Sequence, residues 1–316
     1  MLTLTFNEQF RTAYLFPGQG AQVVGMGKDL FDNSRAARDI FEQVDDALGR
    51  PLSTILFEGP EESLKDTINA QPGIMTVSLA CLEAIKENLG QENIPVPFAM
   101  AGHSLGEYTT LSAAGVLSVE DVARLVQKRG QLMQEACEKN PGTMAAILGL
   151  DEMTLEEIAR ESGTFVSNVN TNDQIVISGS NLGIARAMDL ATARGAKKVI
   201  PLRVGGAFHS GLMEPARVGL IETLESIDFK KSDVPIVANC TGSAIYSPED
   251  IKQELVSQIS GCVQWKRSVD FMIHSGVHNF LEIGPGRALT GMIKRIDRKA
   301  NTKSVSDIES IMALSR

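Results

Sequence analysis

The sequence predicts an α/β protein: a large unit of strands and helices with a smaller β-α-β-β-α-β subdomain inserted into it. Three observations predict it. Short apolar runs alternate with amphipathic helical stretches along the chain. A G-x-S-x-G motif, Gly102–Gly106, lies between an apolar run and a helix rich in small residues. One stretch, roughly residues 138 to 204, keeps a different rhythm of short strands and helices.

Ala13-Tyr14-Leu15-Phe16 reads as the first strand and ends in the glycine-rich turn Pro17-Gly18-Gln19-Gly20. Ile74 to Ile85 reads as a buried helix, because it is apolar or small nearly all round. Val96 to Ala101 reads as a buried strand, and Glu107 to Ala114 as a helix of small residues. Strand, G-x-S-x-G, helix is the setting of a nucleophile elbow: the turn lifts a serine hydroxyl to the end of a strand, and its glycines remove side chains where strand and helix nearly collide. Ser104 is therefore the candidate nucleophile. Val119 to Cys137 reads as a further helix, carrying Arg124, Lys128 and Arg129.

The inserted stretch opens with strand Thr143–Gly149 and a helix over 155–160, started by Thr154. Strand Thr164–Val169, a turn at Asn172-Asp173 and strand Gln174–Gly179 follow. A helix from Ile184 to Ala193 and strand Lys197–Leu202 complete it. That order is the ferredoxin-like plan. It predicts a large unit made of residues 1–137 and 205–316, an inserted subdomain of 138–204, and a cleft between them fit for a substrate. Pro235–Cys240 and Asn279–Ile283 return the chain to the large sheet, the second ending in Gly284-Pro285-Gly286.

The composition narrows the function. The chain has 316 residues, 43% of them hydrophobic and 22% charged, an ordinary globular balance. A net charge of -9 excludes generalised nucleic-acid binding. An acidic partner must then meet a local basic patch; Lys294–Lys299 and Arg194–Lys198 are two basic runs, each read singly as solvated surface. No apolar run approaches a membrane span, and Met1 to Glu8 lacks the pattern of a signal peptide. Cys81, Cys137, Cys240 and Cys262 lie far apart without C-x-x-C, which predicts free thiols in a cytoplasmic protein and no zinc site.

A serine nucleophile needs a base. Of the four histidines, His103 adjoins Ser104 and should diverge from it, while His274 and His278 read as a helix and its end. His209 lies in the loop Gly205-Gly206-Ala207-Phe208-His209-Ser210-Gly211, free to point into a cleft, and is the candidate base. An oxyanion needs donors. The Leu105 N–H follows the nucleophile at a helix start, and Gln19 follows the first strand.

These residues bring the chain to a family. It resembles the malonyl-CoA:acyl carrier protein transacylases over nearly its whole length. The resemblance rests on Leu15–Gln22, Gly102–Tyr108, Lys128-Arg129-Gly130 with Met133-Gln134, Asn168-Val169-Asn170, Ala207–Ser210 with Leu212-Met213, Val263-Gln264-Trp265 and Glu282–Gly286, in matching order and spacing. It implies an α/β-hydrolase-like large subdomain with a ferredoxin-like insertion. It implies malonyl-CoA as substrate, holo-acyl carrier protein as partner, no bound cofactor or metal, and no nucleic-acid or membrane partner; a monomer is expected. Ser104 would carry the malonyl ester, His209 would be general base, and the Gln19 and Leu105 N–H groups would form the oxyanion hole. Arg129 would pair with the malonyl carboxylate, which a guanidinium grips bidentately. The histidine would be held by a backbone carbonyl near Gln264 and not by an aspartate. Phe208 before the histidine would leave little room for a branched acyl unit, a preference worth about 1–3 kcal/mol. Cys262 stands where the family usually has proline, a change expected to loosen the loop that orients His209, and the lead Met1–Arg11 is longer than usual and expected to be peripheral. The rival readings are a trans-acting polyketide acyltransferase, a serine thioesterase or hydrolase, and a silent docking subunit for the carrier protein.

Overall fold

The computed structural model describes residues 10–315; the leader reading falls almost wholly on residues 1–9, outside the described residues. Among the described residues, ten strands form two sheets. Strands β1 (Arg11–Phe16), β2 (Ala99–Gly102), β7 (Ile236–Val237), β8 (Ala244–Ile245), β9 (Val277–Ile283) and β10 (Asn301–Val305) make a six-stranded sheet in the order β10-β9-β1-β2-β7-β8. All its neighbours run parallel except β8, which pairs antiparallel with β7. Strands β3 (Thr143–Leu148), β4 (Phe165–Val169), β5 (Gln174–Gly179) and β6 (Lys198–Pro201) make an antiparallel sheet in the order β4-β5-β3-β6. That is the order a β-α-β-β-α-β chain takes in the ferredoxin-like plan.

Two-residue alternation sets what each face of the large sheet buries. Ala13 and Leu15 of β1, Ala99 and Ala101 of β2 and Phe280 of β9 face one core, with Trp265, Val269 and Met272 of the helix Trp265–His274 and Leu289 and Ile293 of the helix Ala288–Ile296. Tyr14 and Phe16, Met100, and Leu281 and Ile283 face the other. That second core holds the Thr67–Leu89 helix, buried nearly all round, and the inner stripe of Val119–Lys139. The small sheet is split in the same way. Ala145, Ile147, Ile175 and Ile177 pack under the helices Glu152–Ser162 and Asn181–Ala193, whereas Met144, Ala146 and Val176 join the larger core. The two sheets therefore share one hydrophobic interior.

Several expected elements are corrected. Strand β2 starts at Ala99, and Val96, 85% exposed, only leads into it. The helix after β3 is opened by Asp151, whose side chain accepts the Thr154 N–H; Thr154 already lies inside it. His278 sits in strand β9, its ring against Phe10, and not at a helix end. The strand expected over Pro235–Cys240 narrows to Ile236–Val237 because the chain then turns to place Asn239. The strand β10 escapes a search for apolar periodicity, since Asn-Thr-Lys-Ser-Val is an edge sequence of mostly polar residues. All four cysteines are free thiols.

Candidate active site

Parallel strands deliver their following loops to one edge of the sheet, the usual place for a ligand in an open α/β fold. Four such loops meet here: Pro17–Gly20 after β1, His103-Ser104 after β2, Asn239-Cys240 after β7 and Gly284-Pro285-Gly286 after β9. The approach at the elbow is too close for side chains. A Cβ on Gly102 would lie 1.9 Å from the Gly106 carbonyl carbon, and one on Gly106 would lie 2.0 Å from the Phe16 carbonyl oxygen. Gly18 abuts the same turn, where a Cβ would meet the His103 carbonyl oxygen at 2.3 Å. The first strand's loop is thus clamped onto the elbow.

Ser104 and His209 are the only non-glycine residues with positive φ among the described residues, at 53° and 54°. Such backbone costs of order 1–3 kcal/mol each, and the two instances fall on the candidate nucleophile and the candidate base. Ser104 Oγ lies 2.7 Å from His209 Nε2, and His209 Nδ1 lies 2.8 Å from the Gln258 carbonyl oxygen. A carbonyl only accepts, so Nδ1 carries the proton and the Nε2 lone pair faces the hydroxyl. Burial first, and the Arg129 cation second, pull the His209 pKa down to about 3. The imidazole is therefore a neutral acceptor at physiological pH.

The carbonyl that holds His209 corrects the sequence reading. It belongs to Gln258, the last residue of the helix Pro248–Gln258, and not to the neighbourhood of Gln264. The physical reason is that a helix leaves its last four carbonyls without internal partners. Gln264 sits at the seam between the sheets instead: its N–H donates to the Asn239 carbonyl at 2.7 Å and its Nε2 to Glu152 at 3.3 Å. Cys262 lies beside it, its sulfur 3.6 Å from Gln264 Nε2. The following Val263 is held by backbone bonds to Ser167 and Val169 at 2.9 Å each.

Arg129 comes from the middle of Val119–Lys139 and is 1% exposed. Its Nη1 donates to Gln71 Oε1 at 2.6 Å, and its Nη2 to Gln258 Oε1 at 2.9 Å and to Ser104 Oγ at 3.2 Å. The guanidinium lies 4.8 Å from the centre of the Tyr108 ring, and its Nε has no hydrogen-bond partner. No ion pair among the described residues includes it. A buried cation hydrogen-bonded to neutral oxygens and lying over an aromatic face, 3.2 Å from Ser104 Oγ, has the chemistry to pair with an anion.

The remaining expected residues take these places. Leu105 is the first residue of the helix Leu105–Ala113, so its N–H has no earlier helical turn to bond to. Gln19 lies on the clamped loop, its side-chain amide 3.4 Å from Thr67 Oγ1. Phe208 is buried in the larger core, next to His209. His103 does diverge from the nucleophile: its Nε2 lies 2.9 Å from Asn170 Oδ1 of the small sheet's β4–β5 turn. Sequence reasoning missed Gln71, Glu107, Asn239 and Gln258. Glu107, one turn beyond Ser104, and Asn239, at the end of a strand of the large sheet, were the positions a search along the elbow helix and strand ends would have reached. Among the described residues no group of three or more His, Cys, Asp or Glu could hold a metal ion, and no helix is long and apolar enough to cross a membrane.

An elbow serine bonded to a neutral histidine, on a parallel sheet with a four-stranded insertion, defines an acyl-transferring enzyme, and the acyl transferase domain model matches residues 13–313. The malonyl CoA-acyl carrier protein transacylase of Bacillus subtilis is 44% identical over 306 residues, 95% of each chain. That of Staphylococcus aureus is 38% identical over 306 residues, 95% of this chain and 97% of its own. Of solved structures, the acyl-carrier-protein S-malonyltransferase of Bartonella henselae has a TM-score of 0.91 at 40% identity, covering 96% of this chain and 98% of its own. A malonyl-transacylase in complex with its holo type II PKS acyl-carrier protein has a TM-score of 0.91 at 38% identity, with the same coverage. The chain belongs to the malonyl CoA-acyl carrier protein transacylase family.

Proposed function

We propose that this chain is an acyl-carrier-protein S-malonyltransferase, moving malonyl groups from malonyl-CoA to the phosphopantetheine thiol of holo-acyl carrier protein and so supplying extender units for fatty acid synthesis. Ser104 Oγ attacks the thioester carbonyl while His209 Nε2 takes its proton. The Leu105 and Gln19 N–H groups receive the oxyanion. Collapse breaks the C–S bond, and the proton on His209 leaves with the CoA thiol. The carrier thiol then gives its proton to His209 and attacks the malonyl-serine ester, restoring Ser104. Malonyl-CoA enters as a substrate, and the steps use no bound cofactor. We read residues 138–204 as an inserted subdomain closing one side of the cleft, and the enzyme as a cytoplasmic monomer.

The observation that carries the acyl choice is Arg129, buried and without a carboxylate partner, 3.2 Å from the nucleophile. In a malonyl ester the carboxylate is two bonds from the carbonyl that Ser104 attacks, so it falls beside that guanidinium. Replacing Arg129 with alanine leaves the anion in a desolvated site without a partner, at a cost of about 2–5 kcal/mol. The kcat/KM for malonyl-CoA should therefore fall about 30-fold or more, while that for acetyl-CoA, which has no carboxylate, changes little. Parallel falls for both substrates would show Arg129 to be structural and would end the carboxylate reading.

The likeness to a transacylase bound to a type II PKS carrier keeps a second reading in view, a trans-acting polyketide acyltransferase. It uses the same chemistry. Comparing kcat/KM for a fatty-acid and a polyketide carrier protein from the source organism separates the two.

A further inference from the structure

The histidine of this site rests on a backbone carbonyl, yet the site does contain a buried acid. Glu107 is 1% exposed and both its oxygens are engaged: Oε1 accepts the Asn239 N–H at 2.8 Å, and Oε2 accepts Gln258 Nε2 at 2.8 Å. Each partner passes directly to the reacting groups. Asn239 Oδ1 accepts the Ser104 N–H at 2.7 Å, and its Nδ2 donates to the Gly102 carbonyl at 2.7 Å. Gln258 Nε2 also donates to the Ser104 carbonyl at 2.7 Å, its Oε1 accepts from Arg129 Nη2, and its backbone carbonyl holds His209. Nucleophile, base and guanidinium are each one residue away from Glu107.

We propose that Glu107 is a positioning residue for malonyl selection, because its carboxylate fixes which way round the Gln258 amide faces Arg129. This rests on the malonyl reading of Arg129. A primary amide has one donor end and one acceptor end, and the two are nearly equal in shape. Arg129 offers only N–H groups, so it needs the oxygen end. Both Glu107 oxygens accept N–H groups and the Ser104 carbonyl only accepts, so the two together draw the NH2 end of Gln258 to themselves and leave Oε1 for Arg129. Burial, and next the Glu254 carboxyl, hold the Glu107 pKa well above the ordinary carboxylate range, with the Asn239 and Gln258 hydrogen bonds and the Arg129 cation pulling the other way; what fixes the direction of the chain is geometric, since both Glu107 oxygens accept N–H groups. Polarity therefore runs one way, from Arg129 through Gln258 into the acid, and the guanidinium is held with its remaining N–H groups toward Ser104 Oγ and the incoming carboxylate.

The test is Glu107→Gln, which keeps size and shape. The fixed Asn239 N–H claims the oxygen of the new amide, so its NH2 faces the NH2 of Gln258. Gln258 Nε2 then keeps only the Ser104 carbonyl as acceptor, and the amide, pushed away from position 107, loses its alignment on Arg129. The ratio of kcat/KM for malonyl-CoA to that for acetyl-CoA should fall about 10- to 100-fold, the loss of a hydrogen bond to a charged group. The fall should appear mainly in the malonyl-CoA term, and Glu107→Asp, which keeps a carboxyl, should recover part of the ratio. Gln258→Met is the second variant: it keeps the backbone carbonyl for His209, removes the amide, and should lower the same ratio. A ratio within about twofold of wild type in a folded Glu107→Gln or Gln258→Met protein would overturn the proposal. Failure of both to fold would overturn it as well, since the network would then be structural. A wild-type enzyme without preference for malonyl-CoA would instead strike at the underlying function.

Discussion

A buried histidine beside a buried arginine is an unusual base, and its behaviour with pH follows from those two neighbours. Burial and the Arg129 charge both oppose the imidazolium, so His209 stays unprotonated far below the ordinary histidine range. The acid limb of serine acylation should accordingly be absent between pH 8 and 5, where an exposed histidine would already have lost activity. Stopped-flow release of CoA during a single turnover measures it. Arg129→Ala removes the larger of the charge effects that lower it, so in that variant, followed with acetyl-CoA, the acid limb should move up in pH towards 6.5. A limb that stays in place would mean that Arg129 contributes nothing to the basicity of His209. The same reasoning explains why the residue scale was only partly legible. Ser104 announces itself through the glycines around it, and His209 through its loop. Gln258 has no local signature, because what acts on His209 is its backbone carbonyl.

At the scale of elements, the elbow depends on contact between backbones. Strand β2, the following helix and the end of β1 meet where Gly102 and Gly106 lack side chains. Gly106→Ala would place a methyl 2.0 Å from the Phe16 carbonyl oxygen, a rigid backbone atom that cannot step aside. Overpacking of this kind costs about 3 kcal/mol or more when neighbours cannot yield. Gly106→Ala should lower Tm markedly or leave the protein insoluble. Gly163→Ala offers a control: it sits at positive φ with no atom within 4 Å of an added Cβ, so it brings backbone strain alone and should cost about 1–2 kcal/mol. Equal losses in the two variants would argue against close packing as the reason for glycine at the elbow. The strands and helices near this junction were readable because β1 is a short apolar run, buried on both faces, and Val119–Lys139 keeps a period near 3.6. The polar edge strand β10 follows none and is defined by its pairing with β9, while β7, expected over Pro235–Cys240, takes its two-residue bounds from its pairing with β2.

On the scale of the whole molecule, the inserted sheet is tied to the large unit by shared packing and by hydrogen bonds. Met144, Ala146 and Val176 enter the larger core. Val263 is stitched between Ser167 and Val169. Asn170 reaches His103 at the elbow itself. Apolar burial shared between two sheets couples their unfolding. Differential scanning calorimetry of the wild-type chain should therefore show one transition, and two resolved transitions would mean that the inserted sheet unfolds by itself. The same seam sets the cleft: Asn170 fixes the small sheet's turn against the residue preceding the nucleophile, so movement of one sheet against the other disturbs the site directly.

What the sequence by itself determined is the part of this protein written in short-range pattern. Short apolar runs between amphipathic helices, the order of strands and helices, and a glycine-bounded serine between a strand and a helix are local signals, and they suffice for an α/β fold, an inserted ferredoxin-like sheet and a candidate nucleophile. Only the tertiary structure decided the support of that nucleophile. The Ser104 N–H meets Asn239 across 135 positions, and Gln258 meets Glu107 across 151. No periodicity links such distant residues. They come together because parallel strands discharge their loops at one edge, and because buried donors and acceptors must find each other there.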